Sequence, residues 1–435
     1  MKNIKKRILI IDYWTRALKN QIVPIYNQLD KSKYEIVLVH FASISGHKEK
    51  KYEAIEGIPC YDYSNFTKFN IKRIFSKLSP DLIIILNVHG LIDRAVLKYA
   101  NNKKIPIFYI QHGLSWLHLG EERIRKLSAS KYTIKRYFKK FNQYFNYLVL
   151  YLLVSLNVDK LYLFKKEFYD IFYNAIFDPI KFLNYPHISA RHLPTKSFVY
   201  GNKDKEVLNK TYGYPMRKIE VVGSILFENY SNFIKDIENY QKRTWLLEKK
   251  LNPEADIVLF LPTANVEWGI PGCSRDKFEY ILEVLSEIIK KNGLNLIIKL
   301  HPNADKKLYN ILKGKNGIWI TRDTDLLDLI WRSDLIIAEP TTALFPAILL
   351  KKKIIILHLI KELNYDFDFC KEGVAIDCQT EDDLNKSLNN YNKFDHLINF
   401  DNYDTFKKNF CNYSKIETSK LIANNIENTL FDRKQ

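Results

Sequence analysis

Apolar residues recur along the chain in two alternating patterns, short continuous runs and stretches with helical spacing. Nearly unbroken apolar runs are typical of strands that are buried on both faces of a parallel sheet. The alternation is clearest in the second half, which the run Ile257–Leu261 opens. It continues in the runs Leu294–Leu300, Gly317–Thr321, Leu335–Ala338 and Ile354–Leu357 and the helical stretch Asp325–Trp331. The pattern therefore predicts a doubly wound α/β arrangement there.

The first half repeats the alternation, so a second doubly wound domain is predicted. Its strand-like runs are Arg7–Ile11, Tyr34–Val39, Leu82–Leu86 and Ile105–Ile110. Together the two halves predict two Rossmann-like domains that face a cleft, with a C-terminal helix that crosses back to the first. The predicted bounds are an N-terminal Rossmann-like domain over 1–230, a connecting helix over 231–255, a C-terminal Rossmann-like domain over 256–410 and a helical tail over 411–435.

Two polar clusters follow strands of the second domain. Lys299 and His301 end one strand, and Glu339, Thr341 and Thr342 turn another strand into a helix. Ligands bind at the carboxyl edge of open α/β sheets, and a helix N-terminus offers N–H groups to a phosphate. We therefore predict a diphosphate site here, the structural alternative being a strand-ending turn and a helix cap.

The first domain carries histidines in the same kind of position. Asn87 and His89 follow one strand, and His112 with Gly113 follows the next. A glycine after each histidine allows a sharp turn and the close approach of a substrate. His112 is the candidate catalytic residue, Asn87, His89 and Gly113 are candidates for contacts to a ligand at this edge, and a purely structural role is the alternative for both histidines.

Composition narrows the function. The 435 residues are 46% hydrophobic and carry a net charge of +18, which favours an anionic partner such as a phosphorylated substrate or a membrane surface. The five cysteines form no CxxC pair, so neither a zinc site nor a disulfide framework is predicted. GxGxxG, P-loop and HExxH motifs are absent. We expect no metal and no cofactor.

Targeting signals are weak. The basic N-terminus leads into a strand and does not predict a signal peptide, and no uncharged apolar run reaches the roughly 20 residues of a membrane-spanning helix. A cytoplasmic protein is expected.

The segment 121–165 interrupts the alternation. Residues 121–142 contain eight Lys and Arg against two Glu, and 144–158 are almost wholly apolar. Such a pair of stretches suits peripheral attachment to the inner membrane, and the alternative is a buried helix behind a solvated basic face. Lipid contact requires exposed side chains at Tyr147, Leu150, Tyr151 and Val154. No nucleic-acid-binding module accompanies the basic run, so no nucleic acid partner is predicted.

Four segments together resemble a known group of enzymes. They are Tyr109–Gly113, Phe198–Ser224, Leu261–Thr263 with Lys299–Pro302, and Asp325–Ala343. Their order and spacing resemble the bacterial capsule-polysaccharide and CDP-glycerol glycerophosphotransferase-like families of the GT-B glycosyltransferase fold. Where those relatives carry an Asp-Tyr-Ser-Ser turn this chain has Glu339-Pro340-Thr341-Thr342, which favours a sugar nucleotide over CDP-glycerol as the donor.

The resemblance implies a glycosyltransferase that needs no catalytic metal. It also implies that the N-terminal domain, 1–230, binds the acceptor and that the C-terminal domain, 256–410, binds the nucleotide donor. His301 and Lys299 would contact the donor's phosphates with Thr341 and Thr342, and Glu339 would approach the ribose or base. Thr263, Gly223 and Ser224 lie in matching segments and are assigned to the same donor site. His112 would be the general base, and a surface polysaccharide or lipid-linked glycan would be the acceptor. Asn87, His89 and Gly113 are the candidates for the acceptor side. The alternatives are a non-catalytic GT-B-like polysaccharide-binding or scaffold protein and a sugar-nucleotide 2-epimerase.

Overall fold

The computed structural model of the chain divides into two compact units. The first unit comprises Met1–Glu228 and Asn409–Gln435, and the second comprises Asn229–Lys408. The structure describes residues 5–66, 70–88, 90–112, 138, 141–177, 193–210, 213–228, 242–267, 273–358, 368–390, 399–411 and 417–431.

An eight-stranded sheet forms the centre of the first unit. Its strands are β1 (Lys6–Asp12), β2 (Tyr34–His40), β3 (Tyr52–Ile55), β4 (Ile58–Asp62), β5 (Leu82–Ile85), β6 (Ile107–Ile110), β7 (Lys196–Val199) and β8 (Ile219–Val221). Their order is β3-β4-β2-β1-β5-β6-β7-β8. All neighbours are parallel except β3 and β4, which form an antiparallel hairpin at the edge.

Helices cover this sheet. They are α1 (Val23–Gln28), α2 (Ala42–Ser45), α3 (Ile71–Leu78), α4 (Leu91–Asn102), α5 (Phe141–Val158), α6 (Lys166–Phe177) and α7 (Asn202–Lys210). A π-helical turn at Leu18–Ile22 precedes α1, and 3₁₀ turns lie at Tyr63–Asn65, Tyr162–Phe164 and Met216–Lys218. Alternate side chains of β1 enter two different cores, with Ile8 and Ile10 on one side of the sheet and Leu9 and Ile11 on the other.

The second unit has a six-stranded parallel sheet. Its strands are β9 (Ile257–Leu261), β10 (Asn295–Lys299), β11 (Ile318–Thr321), β12 (Leu335–Ala338), β13 (Lys353–Leu357) and β14 (Ile376–Cys378), in the order β11-β10-β9-β12-β13-β14. Its helices are α8 (Lys242–Glu248), α9 (Arg275–Lys291), α10 (Leu326–Arg332), α11 (Phe345–Leu349), α12 (Glu381–Asn389) and α13 (Phe400–Phe406), with 3₁₀ segments at Lys306–Leu312 and Thr342–Leu344.

The tail returns to the first unit through a π-helical turn at Lys407–Cys411 and a last helix, α14 (Thr418–Phe431). Ile422 and Ile426 of α14 are fully buried in the same core as Ile8 and Ile25. Thr418 Oγ1 donates a 2.6 Å hydrogen bond to the carbonyl of Val222, next to β8. The tail is therefore part of the core of the first unit.

The predicted fold class, two doubly wound parallel α/β domains, is confirmed. Strands β9 and β12 are buried at every position, as their unbroken apolar runs predicted. Two local features were missed. Strand β3 exposes alternate residues at the sheet edge, and a π-helical turn at Leu18–Ile22 precedes α1.

The lipid-contact hypothesis for the apolar segment 144–158 is wrong. This segment lies in α5, which packs on α4, and Leu150, Tyr151 and Val154 are at most 3% exposed. Tyr147 is 7% exposed, and its hydroxyl donates a 2.7 Å hydrogen bond to Ser45 Oγ. The apolar half is thus structural, and the basic residues before Phe138 lie outside the described part of the chain. Within the described residues, no helix is both long and apolar enough to cross a membrane.

Candidate functional site

The strand order of the second unit reverses between two neighbouring strands. Strand β9 comes first along the chain, β10 and β11 extend the sheet on one side, and β12, β13 and β14 extend it on the other. The carboxyl ends of β9 and β12 therefore lie side by side at the topological switch point, where Leu261 pairs with Ala338. Open α/β sheets bind their ligands in the crevice at this point.

A buried carboxylate joins the two strand ends. Glu339, directly after β12, accepts a 2.7 Å hydrogen bond from the N–H of Thr263, and also a hydrogen bond from the Thr263 hydroxyl. Asn265 Nδ2 donates a third at 3.3 Å. Burial raises the pKa of Glu339, whereas the hydrogen bonds from Thr263 act in the opposite direction. Glu339 thereby fixes the loop after β9.

This arrangement limits what Thr263 offers to a ligand. Its backbone N–H and its hydroxyl both donate to Glu339. The hydroxyl oxygen of the half-buried Thr263 can then only accept a hydrogen bond. An acceptor oxygen suits a hydroxyl group of a ribose or sugar better than it suits a phosphate.

Strand β10, on the other side of β9, ends in a lysine and a histidine, both half-buried. Nδ1 of His301 accepts a 3.1 Å hydrogen bond from the N–H of Asn303, which makes Nε2 the ring's N–H donor. Burial lowers the pKa of His301, so the neutral ring is favoured. Lys299 Nζ donates to the carbonyl of Arg322, and burial also lowers its pKa. An N–H donor and an ammonium group thus follow the strand next to β9.

The segment after Glu339 contains only a 3₁₀ turn and a short helix. Thr342–Leu344 form a 3₁₀ turn, and the five-residue helix α11 follows. The half-buried Thr341 accepts a 3.3 Å hydrogen bond from the N–H of Ala343 through its Oγ1, so it caps the turn, which is the role of the structural alternative. The side chain of Thr342 lies outside the described part of the chain.

The predicted residues of the first unit lie after β5, β6 and β8. Asn87 is half-buried after β5, whereas His89 and Gly113 fall outside the described residues. Gly223 has φ +87 and Ser224 is buried after β8, next to Val222, where the tail binds. Thus Gly223 and Ser224 lie in the first unit, whereas Lys299, His301, Glu339, Thr341 and Thr263 share the carboxyl edge of the second sheet.

His112, two residues after β6, is held by a residue that the sequence analysis missed. Gln21 Nε2 lies 2.5 Å from Nδ1 of His112, and Gln21 is 2% exposed within the π-helical turn before α1. Burial lowers the pKa of His112, so the ring is favoured in its neutral form. A signal for Gln21 was available, because it is the polar residue on an otherwise apolar helical face with Leu18 and Ile25.

A second missed cluster lies at the switch point of the first sheet, between β1 and β5. Tyr13 OH donates a 3.0 Å hydrogen bond to Asp93 Oδ2, which also accepts from the N–H of Gly90 at 3.1 Å. Burial raises the pKa of Asp93 to about 8 and that of Asp12 to about 7. A Cβ at Gly90 would lie 1.8 Å from Tyr13 OH, so a larger residue there would displace the Tyr13 side chain from Asp93. Among the residues that the structure describes, no group of three or more His, Cys, Asp or Glu is arranged to hold a metal ion.

Comparison with known proteins establishes the class of fold. No protein-family model matches the chain, and no curated protein matches it. The UDP-GlcNAc 2-epimerase from Methanocaldococcus jannaschii matches with a TM-score of 0.53 at 16% identity, over 97% of this chain and 99% of that one. The wall teichoic acid polymerase TagF matches with a TM-score of 0.57 at 13% identity, over 100% of this chain and 91% of that one.

A third similar structure is the glycosyltransferase of kitacinnamycin, with a TM-score of 0.55 at 11% identity, over 98% of this chain and 100% of that one. At these identities the likeness establishes the fold alone. The chain has the two-domain GT-B fold that glycosyltransferases and UDP-GlcNAc 2-epimerases share.

Proposed function

We propose that the chain is a glycosyltransferase that moves a sugar from a nucleotide-activated donor to a surface-polysaccharide or lipid-linked acceptor. The cluster of Glu339, Thr263 and Asn265 at the switch point of the second sheet carries this proposal. Two structures similar to this chain contain nucleotide sugars, the 2-epimerases from Methanocaldococcus jannaschii with UDP-GlcNAc and UDP and from Neisseria meningitidis with UDP-GlcNAc. They support a nucleotide sugar as the substrate class.

The second unit would bind the donor. Thr263 would accept a hydrogen bond from a ribose or sugar hydroxyl, and Glu339 would act through Thr263 by holding it in place. His301 would donate its Nε2–H to a phosphate oxygen, with Lys299 supplying positive charge and the turn at Thr341 and Thr342 supplying backbone N–H groups.

The first unit would bind the acceptor and supply the base. An acceptor hydroxyl oxygen attacks the anomeric carbon, and the bond from that carbon to the phosphate oxygen breaks. His112 takes the hydroxyl proton, a role that suits an imidazole whose neutral form is favoured by burial. Hydrogen bonds to the departing diphosphate stabilise the negative charge that develops on it. Asn87, His89 and Gly113 remain candidates for contacts to the acceptor.

The proposal extends to the cell envelope. The resemblance to capsule-polysaccharide families favours an envelope glycan as acceptor. The net charge of +18 favours peripheral attachment to the anionic inner face of the cytoplasmic membrane. A protein that acts on a lipid-linked acceptor gains from this location, because the acceptor is concentrated there.

Nucleotide binding is the first test. UDP, GDP, CDP and CMP are each titrated against the purified protein in a thermal-shift assay, and at least one should raise the melting temperature. His301→Ala should weaken that binding by roughly 1.5–3 kcal/mol, the range for a hydrogen bond to a charged group. The control is His47→Ala, because His47 is a half-buried histidine of the first unit, whereas the donor residues belong to the second. A protein stabilised by none of these nucleotides would contradict the proposal and favour a non-catalytic polysaccharide-binding or scaffold protein.

The base is tested separately. His112→Ala should lower turnover about 10²–10⁴-fold, the usual contribution of a general base. Nucleotide affinity should stay near wild type, because His112 and the donor residues of β9, β10 and β12 belong to different units. Turnover within a few-fold of wild type would remove His112 from the mechanism.

A sugar-nucleotide 2-epimerase is the second candidate, because 2-epimerases share the fold over 97% of the chain. The two reactions differ in their need for an acceptor. An epimerase converts a UDP-sugar alone into its C2 epimer, which proton NMR of the sugar detects. A transferase leaves the configuration at C2 unchanged, whether or not an acceptor is present.

A further inference from the structure

A continuous part of the first unit exposes an unusual number of large apolar side chains. We call this set the aromatic surface; it comprises Leu161 (66% exposed), Leu163 (42%), Phe164 (78%), Tyr169 (59%), Phe172 (37%), Tyr173 (62%) and Phe177 (70%). Seven such residues within one short helix and the turn before it exceed the scattered apolar exposure of ordinary protein surfaces. Clustered exposure of this kind marks a surface that binds something.

Helix α6 is apolar on two opposite sides. Its inner side places the fully buried Ile171 in the core of the first unit, together with Phe168. Its outer side presents Tyr169, Phe172, Tyr173 and Phe177, which have the i, i+3, i+4, i+8 spacing of one helical face. The outer rings also contact one another, with a distance of 4.8 Å between the centroids of Tyr173 and Phe177. Core packing explains the inner side only.

The charges around the aromatic surface are arranged asymmetrically. Lys160, Lys165 and Lys166 are exposed at its N-terminal end. Of the nearby acids, Asp159 is paired with Lys165, and Glu167 points inward to Lys98 Nζ at 3.4 Å and to the hydroxyl of Tyr151. Asp170 is exposed, so one acid stands against the exposed Lys160 and Lys166. The exposed charge beside the apolar side chains is therefore mainly positive, on a chain of net charge +18.

We infer that the aromatic surface docks the first unit onto an anionic lipid bilayer. Aromatic rings with a polar edge favour the boundary between headgroups and acyl chains, and lysines at their margin bind anionic headgroups. Phe164 and the outer face of α6 enter this boundary region, whereas Lys160 and Lys166 remain at the headgroup level. The contact is peripheral. Lipid binding, which the sequence had suggested for residues 144–158, is thus proposed for residues 160–177.

Vesicle binding tests the inference without any activity assay, so its failure is distinguishable from failure of the proposed transferase function. The full chain is co-sedimented with phosphatidylglycerol/phosphatidylcholine vesicles and with phosphatidylcholine vesicles at 50 and 150 mM salt. Wild type should bind the anionic vesicles, and more weakly at the higher salt. A triple variant, Phe164→Ser, Tyr173→Ser and Phe177→Ser, should bind at least about tenfold more weakly.

Further variants distinguish binding through the aromatic surface from nonspecific apolar adsorption and from nonspecific electrostatic attraction. Tyr52→Ser with Leu247→Ser removes two apolar side chains that are 55% and 57% exposed elsewhere, and it should bind as wild type does. Lys160→Gln with Lys166→Gln should weaken binding to the anionic vesicles by about tenfold or more. The control for this pair is Lys290→Gln with Lys291→Gln, two exposed lysines at the end of α9 in the second unit.

Three outcomes would overturn the inference. They are no binding of wild type to anionic vesicles at 50 mM salt, equal binding by the triple serine variant, and a wild-type dimer that this variant converts to monomers without vesicle binding. The last outcome, read from light scattering after gel filtration, would show that a second copy covers the surface. The substituted side chains are largely exposed, so the variants should keep the wild-type melting temperature.

Discussion

At the scale of single residues, His112 depends on the amide of Gln21. Amide nitrogen and oxygen are exchangeable by rotation, so Gln21 can donate to Nδ1 or accept from it. A base that takes a proton on Nε2 needs Nδ1 to carry the ring's own proton. Catalysis by His112 therefore requires the oxygen of Gln21 to face Nδ1, and Gln21 is a positioning residue in this proposal.

Substitution of Gln21 should change the pH profile. Gln21→Glu places a carboxylate against Nδ1, which keeps the required tautomer and raises the pKa of His112. Because the base must be neutral, the acidic limb of the rate profile should move to higher pH, whereas wild type should stay active below the ordinary histidine range. Gln21→Met should lower turnover about 10–100-fold, as loss of a partner that orients a functional imidazole does. If Gln21→Met kept the turnover and the pH profile of wild type, the role of Gln21 would be limited to packing.

At the scale of secondary-structure elements, the strands that are buried on both faces were predictable. The runs at β9 and β12 are apolar at every position, and the structure begins and ends both strands at the predicted residues. Strand β3 was not predictable in the same way, because its alternating exposure and its edge position leave only a weak signal. Burial on both faces is thus the property that a single sequence reports best.

The candidate site was predictable only in outline. Polar residues after apolar runs correctly indicated the carboxyl edge of the second sheet, because the direction of parallel strands fixes which ends meet. The bonding of Glu339 to Thr263 depends on the pairing of β9 with β12, and two strands so far apart in the chain do not reveal their register. For the same reason the contact of Lys299 with Arg322 could not be predicted.

The start of α4 should make stability depend on pH. Burial raises the pKa of Asp93 from 3.8 to about 8, so between these values the folded chain holds a proton that the unfolded chain has lost. Stability should therefore fall as pH rises through this window. Asp93→Asn keeps an oxygen that accepts from Gly90 and Tyr13 but cannot ionise. The urea midpoint should thus fall less between pH 5 and 8 in this variant than in wild type.

Burial also raises the pKa of Asp12, so this residue too should make the folded chain less stable as pH rises. Asp12 is still present in the Asp93→Asn variant, so part of the pH dependence should persist. The exposed Asp382 supplies the control, and Asp382→Asn should follow the wild-type curve. An Asp93→Asn curve parallel to that of wild type would show that Asp93 ionises normally in the folded state.

At the scale of the whole molecule, the first unit is built from two separate parts of the chain. Helix α14 contributes Ile422 and Ile426 to its core, and a Cβ at Gly201 would lie 2.0 Å from the carbonyl oxygen of Asn409. The chain after the second unit thus approaches the loop after β7 as closely as backbones allow. This contact explains why residue 201 must be small.

Truncation of one side chain in α14 should destabilise the first unit. Ile426→Ala removes a fully buried side chain, and the expected cost is about 2–5 kcal/mol. The loss should appear as faster hydrogen exchange in β1 and β5, with the strands of the second unit less affected. Asn424→Ala, at an exposed position of the same helix, should change stability by less than about 0.5 kcal/mol. Unchanged exchange in β1 after Ile426→Ala would show that the tail is not integral to this core.

The return of the tail also sets an order of assembly during synthesis. The ribosome makes β1 to β8 before Glu228, yet α14 begins at Thr418, which is 418 − 228 = 190 residues later. At about 5–20 residues per second, this gap lasts on the order of 10–40 s. Throughout that time the apolar surface around Ile8 and Ile25 lacks its covering helix. The second unit can complete its own sheet first, so the nascent first unit is a client for chaperones until the last helix has emerged.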